Sequence, residues 1–251
     1  MMKRTLRSEP TTRATCASLR RALALVLALA AVPAVADTAA GDVARLYGPQ
    51  PPADATYLRV VNLSTRTAKV SLPSGTPLLE LPSGAATRLD VVRPGTPLRV
   101  TVDASVPRGP AGGAKVASTA TAGQTITVAI AHDDASGWHA TSIAAPAAGA
   151  DALRAQLRLF NFADGCDGKV VLSGSPASAV FAHVAPGDAA SRSVNPVTAT
   201  LVAVCGKAVS PPFALPRLAA GQSYSLFLSG SAAQPLLSGA PDALAWPGRE
   251  P

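Results

Sequence analysis

The sequence predicts an all-β chain: two tandem immunoglobulin-like antiparallel β-sandwich domains behind a signal peptide. Three observations predict it. Short β-branched runs recur between turns rich in Pro and Gly, which is the pattern of a sandwich. One set of motifs is written twice, in the same order and at nearly constant spacing. And 23 Pro and 20 Gly among 251 residues leave little room for long helices beyond the N-terminal segment.

Residues 1–36 carry the marks of an export signal. Lys3, Arg4, Arg7, Arg13, Arg20 and Arg21 form a basic start, Ala22 to Ala31 is an unbroken apolar run, and Ala34-Val35-Ala36 offers a small-x-small cleavage site before Asp37. The apolar stretch is short for a membrane span. Cleavage between Ala36 and Asp37 by the general secretory route, and release into the periplasm, are the expectation. Losing the signal removes six of 22 Lys/Arg and one of 15 Asp/Glu, which leaves 16 against 14. The net charge falls from +7 to +2. The basic character belongs largely to the signal, so charge gives no case for nucleic acid as a partner.

A Pro-rich segment, residues 37–56, leads into the first domain, residues 57–145. Its strands are expected at Leu58-Arg59-Val60-Val61, Ala68 to Leu72, Leu98 to Val102 and Thr125 to Ile130. Pro-Ser-Gly, Pro-Gly-Thr-Pro and Ala-Gly-Gln turns separate them. The Ala/Pro-rich stretch from Ala144 to Ala150 lacks pattern and charge, and a linker is expected over residues 146–153. The second domain, residues 154–239, repeats the strands at Leu157-Arg158-Leu159-Phe160, Lys169 to Leu172, Thr198 to Val204 and Ser223 to Leu228. Residues 240–251 are expected to be a loose tail. Tyr57 to Asn62 is echoed by Gln156 to Asn161, Val92-Arg93-Pro94 by Val194-Asn195-Pro196, and Ala122 to Val128 by Ala220 to Leu226, at offsets of 99, 102 and 98 residues. A period of this length is a whole small domain, not a solenoid unit.

Cys16 leaves with the signal, so the exported chain keeps Cys166 and Cys205. Two cysteines in an oxidising compartment pair, and a disulfide is expected within the second domain.

The inventory for catalysis is thin. His132-Asp133-Asp134 with His139 is the one cluster resembling a metal or acid–base site, and it falls where a solvated turn belongs. His183 stands near a strand end. There is no Gly-x-Ser-x-Gly elbow, and Gly109 to Lys115 has the wrong spacing for a phosphate loop. No catalytic residue, metal or cofactor is assigned. Arg59 and Asn62, with their echoes Arg158 and Asn161, remain as candidate interaction residues. They present either an outward charge with a turn-forming Asn, or a repeated recognition face for carboxylate sugars or a partner protein.

Leu46-Tyr47-Gly48-Pro49, Leu58-Arg59-Val60-Val61-Asn62, Leu157 to Asn161, Asn195-Pro196-Val197 and the Ala-Gly-Gln turn together resemble the periplasmic alginate biosynthesis protein AlgF family. The resemblance runs from about residue 44 to 230; the Cys166/Cys205 pair is not part of it. It implies a non-catalytic accessory protein for O-acetylation of an exported polysaccharide, alginate or a similar exopolysaccharide. The implied partners are a membrane-bound O-acyltransferase, periplasmic SGNH-like acetyltransferase proteins and the polymer itself. The rival expectations are a carbohydrate-binding module, for which Trp138, Trp246, Tyr47, Tyr57 and Tyr224 are the available platforms, and an acetyl carrier or transferase.

Overall fold

A computed structural model of the chain describes residues 51–73, 78–102, 119–147, 149 and 151–246. The expected cleavage site at Ala36 and Asp37, most of the Pro-rich segment and the loop from Gly109 to Lys115 lie outside the described residues. All described residues belong to one compact unit, Val43–Pro251.

The described chain is all-β. The first repeat contributes β1 (Thr56–Asn62), β2 (Ala68–Ser71), β3 (Leu79–Leu81), β4 (Leu89–Val92), β5 (Thr101–Val102), β6 (Gln124–Asp133) and β7 (Gly137–Pro146). The second contributes β8 (Ala155–Asn161), β9 (Gly168–Leu172), β10 (Ser175–Val184), β11 (Ala189–Val194), β12 (Ala199–Cys205), β13 (Ala208–Val209), β14 (Phe213–Leu215), β15 (Ser223–Gly230) and β16 (Pro235–Pro241), and β17 (Leu244–Ala245) is the last described strand. One sheet of the first repeat runs β4-β1-β6-β7, and its counterpart in the second runs β11-β8-β15-β16. The other sheets run β3-β2-β5 and β10-β9-β12-β13, with β14 also on β12. The repeat therefore extends to register: Tyr57 pairs with Thr125 and Gln156 with Ser223, while Thr56 pairs with Val92 and Ala155 with Val194.

The expectation of purely antiparallel sheets needs one correction. β1 runs parallel to β6, β8 to β15 and β17 to β4. Each repeat lays its first strand, visits the other sheet and returns beside that strand from the same end. A parallel neighbour requires such a long crossover, which a tight hairpin cannot provide.

The duplicated turns show why these glycines recur. Gln124 N–H donates to Thr121 O at 3.3 Å and Gln222 N–H to Ala219 O at 3.2 Å. Gly123 and Gly221 hold the third turn position at φ of 68° and 76°, which a residue with a Cβ adopts only under strain.

Among the described residues, three apolar cores separate four layers. Leu58, Val60, Ile126, Val128 and Ile130 pack with Val70 and Val102 between the two sheets of the first repeat. Leu157, Leu159, Leu226 and Leu228 pack with Val170 and Leu201 in the second. The third core lies between the repeats: Val61, Ala129, Ile143 and Ala145 meet Phe160, Phe227 and Ala240. The inner sheet of each repeat is thus covered on both faces, and β1 and β8 are buried almost without interruption.

Two boundaries differ from expectation. Ala144 to Pro146 belong to β7, and Ala145 is buried in the inter-repeat core. Pro146 is tolerated because β7 is an edge strand that needs no donor there. The segment from residue 240 to 246 is a strap, not a tail. Pro241 ends β16 in the second repeat, and Leu244–Ala245 then add to the first repeat's sheet beside β4. Leu89 N–H donates to Ala243 O at 2.8 Å, and Asp242 N–H to Ser223 O at 2.9 Å.

Candidate functional site at the seam between the repeats

Arg59 and Arg158 occupy equivalent positions in β1 and β8, and both side chains enter the seam. Alternation along each strand sends Leu58 and Val60, or Leu157 and Leu159, into the repeat's own core. The residues between them face the other repeat. Arg59 is 0% exposed and Arg158 is 1% exposed. The expectation of outward charges on a solvated sheet is therefore corrected, because the face that carries them is covered by the other half of the same chain.

Asp242, in the strap, is the counter-ion that the sequence did not reveal. Arg59 Nη2 donates to Asp242 Oδ1 at 2.5 Å and to Ser225 Oγ at 3.1 Å, and Ser225 Oγ also donates to Asp242 Oδ1 at 2.7 Å. Arg158 Nη1 donates to Thr125 Oγ1 at 3.1 Å, and its Nη2 donates to Pro146 O at 3.0 Å. Its Nη1 lies 3.9 Å from Asp242 Oδ2. Each guanidinium also sits over an aromatic ring: Arg59 at 5.4 Å from Phe227, which belongs to the other repeat, and Arg158 at 5.0 Å from Phe160. Burial pushes the Arg158 pKa down, with Arg59 adding to the fall and Asp242 opposing it. Burial likewise raises the pKa of the nearby Tyr224 phenol.

Asn62 and Asn161 are a structural pair, each fully buried at the end of its strand. Asn62 Nδ2 donates to Arg66 O at 2.7 Å and Leu81 O at 2.8 Å, and its Oδ1 accepts from Ser64 N–H at 3.0 Å. Asn161 Nδ2 donates to Cys166 O and Val184 O, both at 2.7 Å, and its Oδ1 accepts from Ala163 N–H at 3.0 Å. The same knot ties the exit of the first strand in both repeats. The turn propensity of Asn correctly located a chain reversal; the buried amide is what fixes it. Asn161→Ala leaves two carbonyls and one N–H without that partner, and is expected to lower unfolding free energy by about 3 kcal/mol. A urea melt checks this, and a loss below about 1 kcal/mol would contradict the role.

The remaining sequence candidates lie elsewhere. His132, Asp134 and Arg66 meet at the β6–β7 hairpin: Arg66 Nη1 is 3.4 Å from His132 Nε2 and His132 Nδ1 is 3.6 Å from Asp134. Asp133 is held below its usual pKa by N–H groups of Ala135 and Ser136. His139 pairs in register with Ala131, one step from His132 opposite Trp138. Among the described residues no three His, Cys, Asp or Glu side chains gather to hold a metal. His183 pairs with Asp167 at 2.9 Å, and both are exposed. Cys166 and Cys205 form the expected disulfide, with Cα atoms 5.2 Å apart, consistent with an extracytoplasmic location. Asn195 and Val197 rim an open groove of about 620 Å³ in the second repeat, between β10 and β11, floored by Leu157, Leu201 and Leu215 and flanked by Arg154 and Arg192. Arg192 Nη1 donates to Ala179 O at 3.0 Å and Val180 O at 2.8 Å, tying the two edges together.

No protein-family model matches the chain, and no curated protein matches it. Among solved structures, the C-terminal domain of AlgF from P. aeruginosa is similar with a TM-score of 0.32 and 21% identity, over 36% of this chain and 98% of that domain. A putative cell adhesion protein from Bacteroides ovatus is similar with a TM-score of 0.22 and 12% identity, over 76% of this chain and 97% of that one.

Proposed function

We propose that this chain is a periplasmic, non-catalytic adaptor for O-acetylation of an exported polysaccharide, alginate or a similar exopolysaccharide. Its partners in this reading are a membrane-bound O-acyltransferase and periplasmic SGNH-like acetyltransferase proteins. The observation that carries the reading is the back-to-back union of two sandwiches, whose inner sheets bury a charged core. The union leaves two outer sheets on opposite sides of one body, which suits a part that holds two partners at a set separation. The order and spacing of the AlgF-like motifs supply the biological setting.

The groove beside Asn195 and Val197 is the docking surface of this reading, because it is open and apolar, with a basic rim. Val197 is 40% exposed, so Val197→Glu alters the groove at little cost to the fold. The expected result is that the tagged protein co-purifies with the acyltransferase or the periplasmic acetyltransferase, and that Val197→Glu weakens capture at least tenfold while the melting temperature holds. Unchanged polymer acetylation after deletion of the gene, with no association, would sink the adaptor reading.

A further inference from the structure

We propose that the seam between the repeats is a binding site for one small monovalent carboxylate, gripped by Arg158. This goes beyond the adaptor reading and does not depend on it. Two guanidinium groups and one carboxylate are buried there, Arg59 and Arg158 against Asp242, with side-chain exposures of 0%, 1% and 3%. Asp90, also buried, pairs with Leu58 and so shares the face toward the first repeat's own core. On the seam side, among the described residues, the buried sum is one positive charge in excess. Water can satisfy N–H groups, but it does not cancel that charge; an anion does both.

The geometry supplies room and donors. A cavity of about 240 Å³ opens beside the cluster, lined by Arg158, Asp242, Thr125, Gln156, Ser223 and, at its mouth, Arg154. Asp151 also lines the mouth, so the two exposed charges there cancel and the excess lies inside. Arg158 Nε is buried without a hydrogen-bond partner among the described residues, while Asp242 Oδ2 lies 3.9 Å from Arg158 Nη1 and is neutralised by it. Arg158 spends its Nη1 and Nη2 on Thr125 and Pro146, one hydrogen bond each, so the Nε edge and the spare Nη hydrogens stay available. That edge presents parallel donors matched to the two oxygens of a planar carboxylate, a fit that a spherical halide does not share. The volume equals roughly eight waters' share of liquid, enough for a carboxylate of a few heavy atoms and too little for an oligosaccharide.

The test uses the intact protein and acetate or formate as probes, titrated against sodium chloride at constant ionic strength. The expected result is a saturable rise in melting temperature of roughly 5–10 °C at a hundredfold excess over Kd for the carboxylates, with no saturable rise for chloride. Arg158→Gln abolishes the response. Arg154→Ala, an exposed change at the mouth that leaves the fold intact, weakens it about fivefold. Line broadening of ¹³C-acetate in the presence of the wild-type protein, reversed by formate, reads binding directly and stands even if Arg158→Gln fails to fold. An equal response to chloride would overturn the carboxylate assignment. A response that is linear with concentration, or that survives in Arg158→Gln, would overturn the site.

Discussion

Asp242→Ala is expected to destabilise the protein by about 4 kcal/mol, because it strands two buried guanidinium groups with no counter-charge. The loss exceeds the ordinary value of an ion pair, since most of it is the penalty of leaving charge buried and unpaired. Arg59 loses its acceptor at 2.5 Å, Ser225 Oγ loses the oxygen it donates to at 2.7 Å, and the nearest carboxylate to Arg158 disappears. Asp242→Asn keeps an acceptor for Arg59 and Ser225 but not the charge, so it should fall between wild type and the Ala variant. Replacing all three charges together, as Arg59→Met, Arg158→Met and Asp242→Leu, is expected to recover most of the stability, because no charge is then left to desolvate. Urea melts of the three proteins decide it. A loss under about 1 kcal/mol for Asp242→Ala would show that the seam is wet and that the cluster contributes little.

The same residues show what was legible in the sequence. Seven of the eight expected strands, the repeat and the turn glycines follow from local chemistry: β-branched alternation, Pro that fixes φ and Gly that accepts positive φ. The eighth, Leu98 to Val102, shortens to Thr101–Val102. Alternation along Leu58-Arg59-Val60-Val61 says which residues share a face. It says nothing of what covers that face, and here the cover is the other repeat, about a hundred residues away in sequence. An Arg set between apolar residues looks like a half-exposed strand whether its far side meets water or a second sheet. The clue was available in the echo: Phe160, Phe227 and Val61 share the face with Arg158, Ser225 and Arg59, and large apolar groups on both faces mark a doubly covered strand. Asp242 was hidden for the opposite reason. It lies in Ala240-Pro241-Asp242-Ala243-Leu244, a stretch with no periodicity to announce a buried role. β7 and β11 escaped because Ala and Ser dominate them; their place in the sheets comes from neighbours more than from their own propensity.

Opening the Cys166–Cys205 disulfide is expected to lower stability by about 4 kcal/mol, since it closes a loop with a sequence separation of 39 residues and restricts the unfolded chain. The bridge exists in the second repeat alone. Cys166 O accepts from Asn161 as Arg66 O accepts from Asn62, so the first repeat makes the same turn without a covalent tie. If the repeats unfolded separately, reduction would move only one of two transitions. The seam argues for one. Loss of the second repeat would bare Arg59, Val61 and Ala129 and take away Asp242, a cost that no independent first repeat could absorb. Urea melts with and without reductant, and of a Cys166→Ser/Cys205→Ser variant, should therefore show a single transition whose midpoint falls in both cases. An unmoved midpoint on reduction would show that the thiols are not paired. Two transitions, with only the later-repeat signal shifted, would show that the charged core joins the sandwiches in space without coupling their stability.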